Sequence, residues 1–407
     1  MTDILDVYLG RKHVGQLVLL SGERSFFVFE KGYLSDPDHL VLSQSFFTGS
    51  GDLISETRTT RTKLPPFFSN LLPEGHLRTY LANRGGVKPA REFKLIELFG
   101  EDLPGAVVVS PTGKKDVLPE PQADKKRYAS IEQPYRFSLA GVQLKFSALV
   151  ETTGGLTIPA SGVGGDWIIK LPAQNFANVP ENERAMLHLA GEIGISVPET
   201  HLVPLEKING LPELGFMAGN LALAVKRFDR EGKRRIHIED FAQVYNVFPD
   251  DKYGKVSYDN IANMIWILTG ETGLLEFIRR LVFTILIGNG DMHLKNWSFI
   301  YADGLTPKLS PAYDFVSTIP YIPDDQLALN LAGEKNMNAI SLEHFRKLTR
   351  KSEVPEHLVL NSVRETVEKI LEKWNENKRA YDLPVALRKR IDEHLRVTSL
   401  RLLKKPK

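Results

Sequence analysis

The chain has 407 residues and a net charge of +2, and its 42% hydrophobic and 25% charged residues are typical of a globular protein with two or three domains. It contains no cysteine, which excludes a disulfide framework, a thiolate nucleophile and a cysteine metal site. Apolar stretches such as 281–287 are too short to span a bilayer and the N-terminus lacks a signal-peptide pattern, so we expect a cytoplasmic protein without a membrane partner.

Residues 1–110 predict an N-terminal unit that begins with strands and continues with helices. Alternating apolar and polar residues indicate a small antiparallel sheet over residues 4–33. A helix is expected to begin at Pro65–Pro66, to be interrupted at Pro73, and to resume until Gly85.

Residues 111–135 are rich in Pro, Lys and Asp and lack periodicity, which predicts a linker. Residues 136–235 then combine strands with one helix, which is the plan of the small lobe of a kinase. We predict the strands at 146–150, 166–171 and 221–228, and the helix at about 182–193.

Residues 236–407 are dominated by long amphipathic runs and predict a helical large lobe. The runs cover residues 258–268, 274–287, 358–377 and 387–403. The sequence as a whole therefore predicts an α+β, bilobal protein-kinase-like fold, with a small β-rich subdomain at the N-terminus and a helical C-terminal lobe.

The most informative motif is the pair of segments Gly288–Asn296 and Pro311–Phe315, which lie one predicted hairpin apart. Asp291 precedes Asn296 by five positions, and Asp314 follows the hairpin. Protein kinases use an Asp and an Asn at this spacing as the acceptor of the substrate hydroxyl proton and as a magnesium ligand, with a second Asp beyond a hairpin as another ligand. Either Asp alone would most simply cap a helix or a turn, but the set predicts a phosphoryl-transfer site.

Basic residues supply candidates for contacts with phosphate groups. Lys170 ends an apolar strand, as the small-lobe Lys of a kinase does, and Glu183 on the following helix could pair with it. Lys170 at a strand end could equally be an ordinary surface residue. His293 and Lys295 could offer further donors to phosphate or face solvent.

Residues 138–145 lie where kinases carry a glycine-rich loop over the phosphates. This loop contains a single Gly, so it would bind phosphate through the backbone amides around Ala140 and Gly141 together with Lys145.

These motifs occur together and in order in a known family: the chain resembles the HipA-like toxin kinases of bacterial HipBA toxin-antitoxin systems. The matching segments in the N-terminal unit are Leu64–Gly75 and Asp102–Val107. Those in the kinase unit are SLAGVQLK at 138–145, WIIKLP at 167–172, ENE at 181–183, AVKRFDR at 224–230, IGNGDMHLKN ending at 296 and SPAYDFVS at 310–317.

The resemblance implies a serine/threonine protein kinase that uses ATP and Mg²⁺. Asp291 would be the catalytic base, and Asn296 and Asp314 would bind the metal ion. The remaining nucleotide contacts would come from phosphate-binding Lys145, Lys170 and His293, from the backbone of Lys226 to Phe228 at the adenine, and from Gln243 and Tyr313 beside the nucleotide. Ser138 lies where family members autophosphorylate in trans, which switches the kinase off.

The resemblance also implies a biological setting. Characterised toxins of this family phosphorylate an aminoacyl-tRNA synthetase, which stops growth or drives persistence. Their partner is a small HipB-like helix-turn-helix antitoxin, through which they associate with operator DNA.

The sequence departs from ordinary protein kinases at the catalytic motifs. Val316 replaces the Gly of the Asp-Phe-Gly motif, and Gly290 replaces the Arg that precedes the catalytic Asp. Two alternatives remain open at this point: a small-molecule or lipid kinase, and a non-catalytic antitoxin-binding co-repressor. The intact set of Asp291, Asn296, Asp314 and Lys170 favours an enzyme.

Overall fold

The computed structural model describes residues 3–113, 145–150, 156–157, 165–211 and 216–404. The predicted acceptor Ser138, the predicted phosphate-loop residues Ala140 and Gly141, and most of the predicted linker lie outside the described residues.

The N-terminal unit is an antiparallel sheet packed against short helices, as the sequence predicted. Its strands are β1 (Asp3–Leu9), β2 (Lys12–Leu20), β3 (Arg24–Phe29), β4 (Thr60–Arg61) and β5 (Val107–Pro111), in the order β4-β3-β2-β1-β5. Its helices are α1 (Lys31–Leu34), α2 (Pro66–Leu71), α3 (Gly75–Arg84) and α4 (Glu92–Phe99). The apolar residues Leu5, Val7 and Leu9 of β1 are buried, and the aromatic rings of Phe27, Phe67 and Phe68 fill the space between the sheet and the helices.

The second unit contains a six-stranded sheet and one long helix. Its elements are β6 (Lys145–Val150), β7 (Leu156–Thr157), β8 (Trp167–Lys170), α5 (Val179–Glu192), β9 (Thr200–Pro204), β10 (Ile208–Asn209) and β11 (Leu221–Lys226). The strand order is β10-β7-β6-β8-β11-β9, and all pairs except β10–β7 are antiparallel. The predicted strands and helix are confirmed. Helix α5 begins earlier than predicted, because Pro180 in its first turn suits a helix start.

A connecting segment joins this sheet to the helical lobe. It contains β12 (Arg230–Glu231), β13 (Arg234–Arg235), β14 (His237–Asp240) and α6 (Phe241–Val244). Strand β11 ends at Lys226 rather than at the predicted Phe228, since the next residues turn into a buried ion-pair cluster.

That cluster ties the connecting segment to the N-terminal unit. The Asp229 carboxylate binds Arg227 Nε at 2.9 Å and accepts a hydrogen bond from the Gly105 amide at 2.8 Å. Arg230 donates to Asp102 Oδ1 at 3.0 Å and to the Gly105 carbonyl at 2.9 Å. Gly105 has a φ of +72°, and a Cβ there would lie 2.8 Å from the amide nitrogen of Ile238, so only glycine fits this contact.

The large lobe is built around a long central helix. Its elements are α7 (Tyr258–Ile287), β15 (Ser298–Tyr301), β16 (Lys308–Leu309), α8 (Leu342–Ser352), α9 (Glu356–Asn377) and α10 (Val385–Leu403), and β14, β15 and β16 form an antiparallel sheet. Gly270 breaks the helical geometry of α7 with φ +64° and ψ −153°, at the gap between the two predicted helical runs.

Among the helices that the structure describes, α7 alone is long and apolar enough to cross a bilayer. The apolar residues of its second half, including Leu274, Phe277 and Leu281, are buried, and α7 contacts α8, α9 and α10. A helix segment that is covered on most sides needs this composition to form a core.

Candidate active site

The loop after α7 is held by the buried side chain of Asn289. Gly288 ends the helix in the left-handed conformation with a φ of +65°. The Asn289 side chain then accepts a hydrogen bond from the Asp291 amide at 3.0 Å and donates one to the Asp314 carbonyl at 3.2 Å. Asn289 therefore joins the two predicted acidic site residues through their backbones. Sequence reasoning did not single it out, although its place between two glycines was a signal.

Asp291 lies at the exposed mouth of the site with its backbone firmly fixed. Its carbonyl accepts hydrogen bonds from the Asn296 side chain and from the His293 amide, both at 2.8 Å. Its carboxylate Oδ1 accepts a hydrogen bond from the Tyr253 hydroxyl at 2.7 Å. The protein atoms crowded around this carboxylate reduce its solvation and raise the pKa of Asp291, and the negative charge of Asp314 adds to this.

Asp314 lies between two lysines. Lys145 Nζ is 2.8 Å from Asp314 Oδ2, and the buried Lys170 contacts both Asp314 Oδ1 and Glu183 Oε1. Burial alone would raise the pKa of Asp314, but the ammonium groups of Lys145 and Lys170 hold it well below its usual range. Asp314 has a φ of +56°, an uncommon conformation that is seen preferentially at functional sites.

Lys170 and Glu183 form the ion pair that the sequence suggested. Both side chains are almost fully buried, on β8 and α5 respectively. Burial lowers the pKa of Lys170 and the carboxylates of Asp314 and Glu183 raise it, with a net upward shift that keeps the ammonium charged.

His293 carries an unused hydrogen-bonding atom beside the acidic residues. The residue is 7% exposed, and within the described part of the chain its Nδ1 has no hydrogen-bond partner. Burial, assisted by the charge of Lys252, lowers the pKa of His293 to about 3, so the ring is neutral at cellular pH. A buried polar atom without a partner is costly, and a bound anionic oxygen would satisfy it through an N–H hydrogen bond.

The residues predicted to lie around the nucleotide are at the end of β11, on the connecting segment and next to Asp314. The rings of Phe228 and Tyr313 lie 5.7 Å apart, and the Tyr313 hydroxyl donates to the Lys295 carbonyl at 2.9 Å. The Lys226 amide donates to the Glu199 carbonyl at 2.9 Å at the end of β11. Gln243 is buried in a capping box with Asp240, and its Nε2 donates to the Phe67 carbonyl at 3.0 Å, so its described side-chain bonds serve the fold.

Lys295 bonds to the N-terminal unit, which the sequence did not indicate. Its Nζ lies 2.9 Å from Glu74 Oε1 and 2.8 Å from the Asn70 carbonyl. The other oxygen of Glu74 is 2.8 Å from Lys252 Nζ. Although burial alone would raise the pKa of Glu74, the charges of Lys295 and Lys252 lower it to about 2. Lys295 is therefore a tie between the catalytic-loop candidate and α2–α3, rather than a free donor to phosphate.

The donor set near Asp314 fits a hard cation. No cluster of three or more His, Cys, Asp or Glu side chains suited to a metal ion occurs in the described segments. The Asp314 carboxylate and the Asn296 carboxamide offer oxygen ligands instead. This sparse oxygen set is what Mg²⁺ uses when phosphate groups and water supply the remaining ligands.

Comparison with known proteins covers both units of the chain. The sequence model described as HipA N-terminal domain matches residues 5–110, and the one described as HipA-like C-terminal domain matches residues 137–374. A Sinorhizobium fredii protein named "Putative kinase Y4dM" is 49% identical over 396 residues, which cover 96% of each chain.

Similarity extends to a named toxin and to a solved structure. The "Serine/threonine-protein kinase toxin HipA" of Shewanella oneidensis is 25% identical over 397 residues, covering 88% of this chain and 86% of that protein. A chain from the solved complex of HipA, HipB and operator DNA of Shewanella oneidensis MR-1 has a TM-score of 0.76 at 22% identity, covering 98% of this chain and 97% of the other. The predicted α+β kinase-like fold and the resemblance inferred from the motifs are confirmed.

Proposed function

The chain belongs to the HipA-like kinase family, and from this premise we propose that it is an ATP-dependent serine/threonine protein kinase. The observation that carries the proposal is the arrangement around Asn289, which joins Asp291 to Asp314. A proton acceptor is thereby held beside a carboxylate that already gathers Lys145 and Lys170. Phosphoryl transfer needs this kind of positioning and charge stabilisation more than it needs covalent chemistry by the protein.

Each residue has a role that follows from its contacts. The Asp291 carboxylate would accept the proton of a serine or threonine hydroxyl that enters the exposed mouth of the site. Lys145, Lys170 and neutral His293 would donate hydrogen bonds to the phosphate oxygens of ATP, with Glu183 orienting Lys170. The backbone of the connecting segment between Lys226 and Phe228 would hold the adenine.

Mg²⁺, held by Asp314 and Asn296, would neutralise negative charge on the phosphate groups. Lys145 and Lys170, which both contact Asp314 in this structure, would then be free to turn towards those groups. This assignment agrees with the few oxygen donors that Asp314 and Asn296 offer, and the unpartnered Nδ1 of His293 agrees with a phosphate group bound beside them.

We further propose that the protein is the toxin of a type II toxin-antitoxin pair. The similarity to a named HipA toxin and to a structure solved with HipB and operator DNA supports a HipB-like helix-turn-helix antitoxin as partner, with DNA contacted mainly through that antitoxin. The substrate would be a translation component, with an aminoacyl-tRNA synthetase as the first candidate. Trans autophosphorylation of Ser138 would inactivate the enzyme.

Transfer of the γ-phosphoryl group from radiolabelled ATP tests the kinase proposal. We expect label on the purified full-length chain in the presence of Mg²⁺, and its loss when EDTA removes the divalent ion, because the phosphate charges then lack their counterion. Re-addition of excess Mg²⁺ should restore labelling, which controls for damage by the chelator. Absence of label on the chain and on a panel of aminoacyl-tRNA synthetases would contradict the proposal.

Growth on induction tests the toxin proposal separately. We expect expression of the wild-type chain to arrest growth, and Asp291→Asn to remove the arrest at equal protein level, because the harm requires proton acceptance at Asp291. Optical density measures growth, and immunoblots measure the protein level. Arrest that persists in the variant would mean that toxicity does not come from phosphoryl transfer.

A further inference from the structure

Tyr253 is the described side chain whose hydroxyl bonds to the carboxylate of Asp291. The residue lies in the segment between α6 and α7, and it is 43% exposed. Its hydroxyl donates to Asp291 Oδ1 over 2.7 Å. A hydroxyl at hydrogen-bond distance from a general base meets the first geometric condition for giving up its proton to that base.

The Tyr253 backbone is fixed relative to the catalytic-loop candidate. The carbonyl of Lys252 accepts a hydrogen bond from the Leu294 amide at 3.4 Å, and Lys335 Nζ donates to the Tyr253 carbonyl at 3.3 Å. Lys252 is anchored in turn by its 2.8 Å ion pair with Glu74. The phenol is therefore presented to Asp291 by a tethered segment and not by a free chain end.

The Tyr253 ring also lies against a predicted phosphate-binding residue. Its centroid is 5.0 Å from that of His293, with the rings nearly perpendicular. The ammonium of Lys252 is 5.5 Å from the centre of the same phenol ring. The Tyr253 phenol thus contacts the proposed base Asp291, packs against His293, and lies close to the ammonium of Lys252.

We propose that Tyr253 is a phosphoryl acceptor of this protein's own active site, modified within the same molecule. This proposal rests on the kinase function proposed above. Tyr253 Oη would form a bond to the γ-phosphorus of ATP while the bond from that phosphorus to the bridging oxygen breaks. The phenolic proton would pass to the Asp291 carboxylate, and ADP would leave.

The product would limit further turnover. A phosphotyrosine carries a charge of roughly −1.5 to −2 at neutral pH, and here it would face Asp291, with Asp314 nearby in the same site. The Tyr253 hydroxyl could no longer donate to Asp291, and repulsion would displace the modified ring towards Lys252. The displaced phosphate would still obstruct the mouth of the site that a protein substrate must enter.

Phosphopeptide mass spectrometry of the full-length chain after incubation with ATP and Mg²⁺ tests this assignment. We expect phosphate on Tyr253, with a rate constant that does not change when the protein is diluted, as an intramolecular transfer requires. Tyr253→Phe should lose all phosphotyrosine. The matched control Tyr245→Phe, whose hydroxyl bonds to the Asn260 carbonyl at 2.7 Å, should retain it.

Three outcomes would overturn the assignment of Tyr253, and they differ in what they mean for the kinase proposal. A wild-type chain that transfers phosphate to other residues but not to Tyr253 overturns the assignment and leaves the kinase proposal standing. A wild-type chain that transfers no phosphate to any acceptor overturns both. Phosphotyrosine whose rate constant rises with protein concentration also overturns the assignment, because transfer is then between molecules.

Discussion

Replacement of Asp291 by asparagine is expected to slow phosphoryl transfer by about 10²- to 10⁴-fold, the usual contribution of a positioned general base. The carboxamide has nearly the same shape but cannot accept the proton of the acceptor hydroxyl. Folding should be little affected, because Asn296 and His293 bond to the backbone carbonyl of residue 291, which the substitution keeps. Nucleotide affinity should also be retained, since the proposed phosphate contacts come from other residues.

Initial rates of phosphate incorporation measure phosphoryl transfer. Calorimetric titration with a non-hydrolysable ATP analogue measures nucleotide affinity. Asp324→Asn is a matched control, because Asp324 is an exposed residue that carries no proposed role. Rates for Asp291→Asn within a few-fold of wild type would show that Asp291 is not the base.

Replacement of Lys170 by methionine is expected to cost about 3–5 kcal/mol of unfolding free energy as well as the activity. The methionine fills a similar volume but leaves the buried carboxylate of Glu183 without a cation, next to Asp314, which keeps only Lys145. Chemical denaturation followed by intrinsic fluorescence measures the loss of unfolding free energy. Trp167, which lies on the same strand β8, contributes to the fluorescence signal.

A double substitution separates the two effects of Lys170. Lys170→Met combined with Glu183→Gln should recover part of the stability, because one unpaired carboxylate is removed, but it should not recover phosphoryl transfer. Lys373→Met is the surface control: its ion pair with Glu376 is exposed to solvent, so we expect almost no change in the free energy of unfolding. An equally small change in unfolding free energy for Lys170→Met would show that the buried ion pair of Lys170 does not stabilise the fold.

Local patterns in the sequence were sufficient to predict most elements of the fold. Proline and glycine marked the limits of α2 and α3, and the gap between two apolar runs coincided with the break in α7 at Gly270. The end of β11 was misplaced by two residues. What stops this strand is an ion-pair cluster with residues more than a hundred positions away, which no local window contains.

The candidate site also divides into features that local patterns predict and features that depend on contacts between distant residues. Spacing and residue type were enough to propose Asp291, Asn296 and Asp314, because kinases carry these groups on one loop and one hairpin. The tie from Lys295 to Glu74 spans 221 positions and depends on how two units dock, so the sequence offered only a choice between phosphate and solvent for Lys295. Tyr253 was missed for the same reason, since its approach to Asp291 depends on the path of an irregular segment.

The docking of the N-terminal unit limits how members of the family can exchange parts. Two separate sequence models match the N-terminal unit and the kinase unit of this chain. Ion pairs nevertheless cross the boundary between these units, from Arg230 to Asp102 and from Lys295 to Glu74. A chimera with the N-terminal module of one relative and the kinase module of another would keep these pairs only if each module carries its own partner at these positions. Joining two such modules therefore requires matching charges as well as matching shape at their boundary.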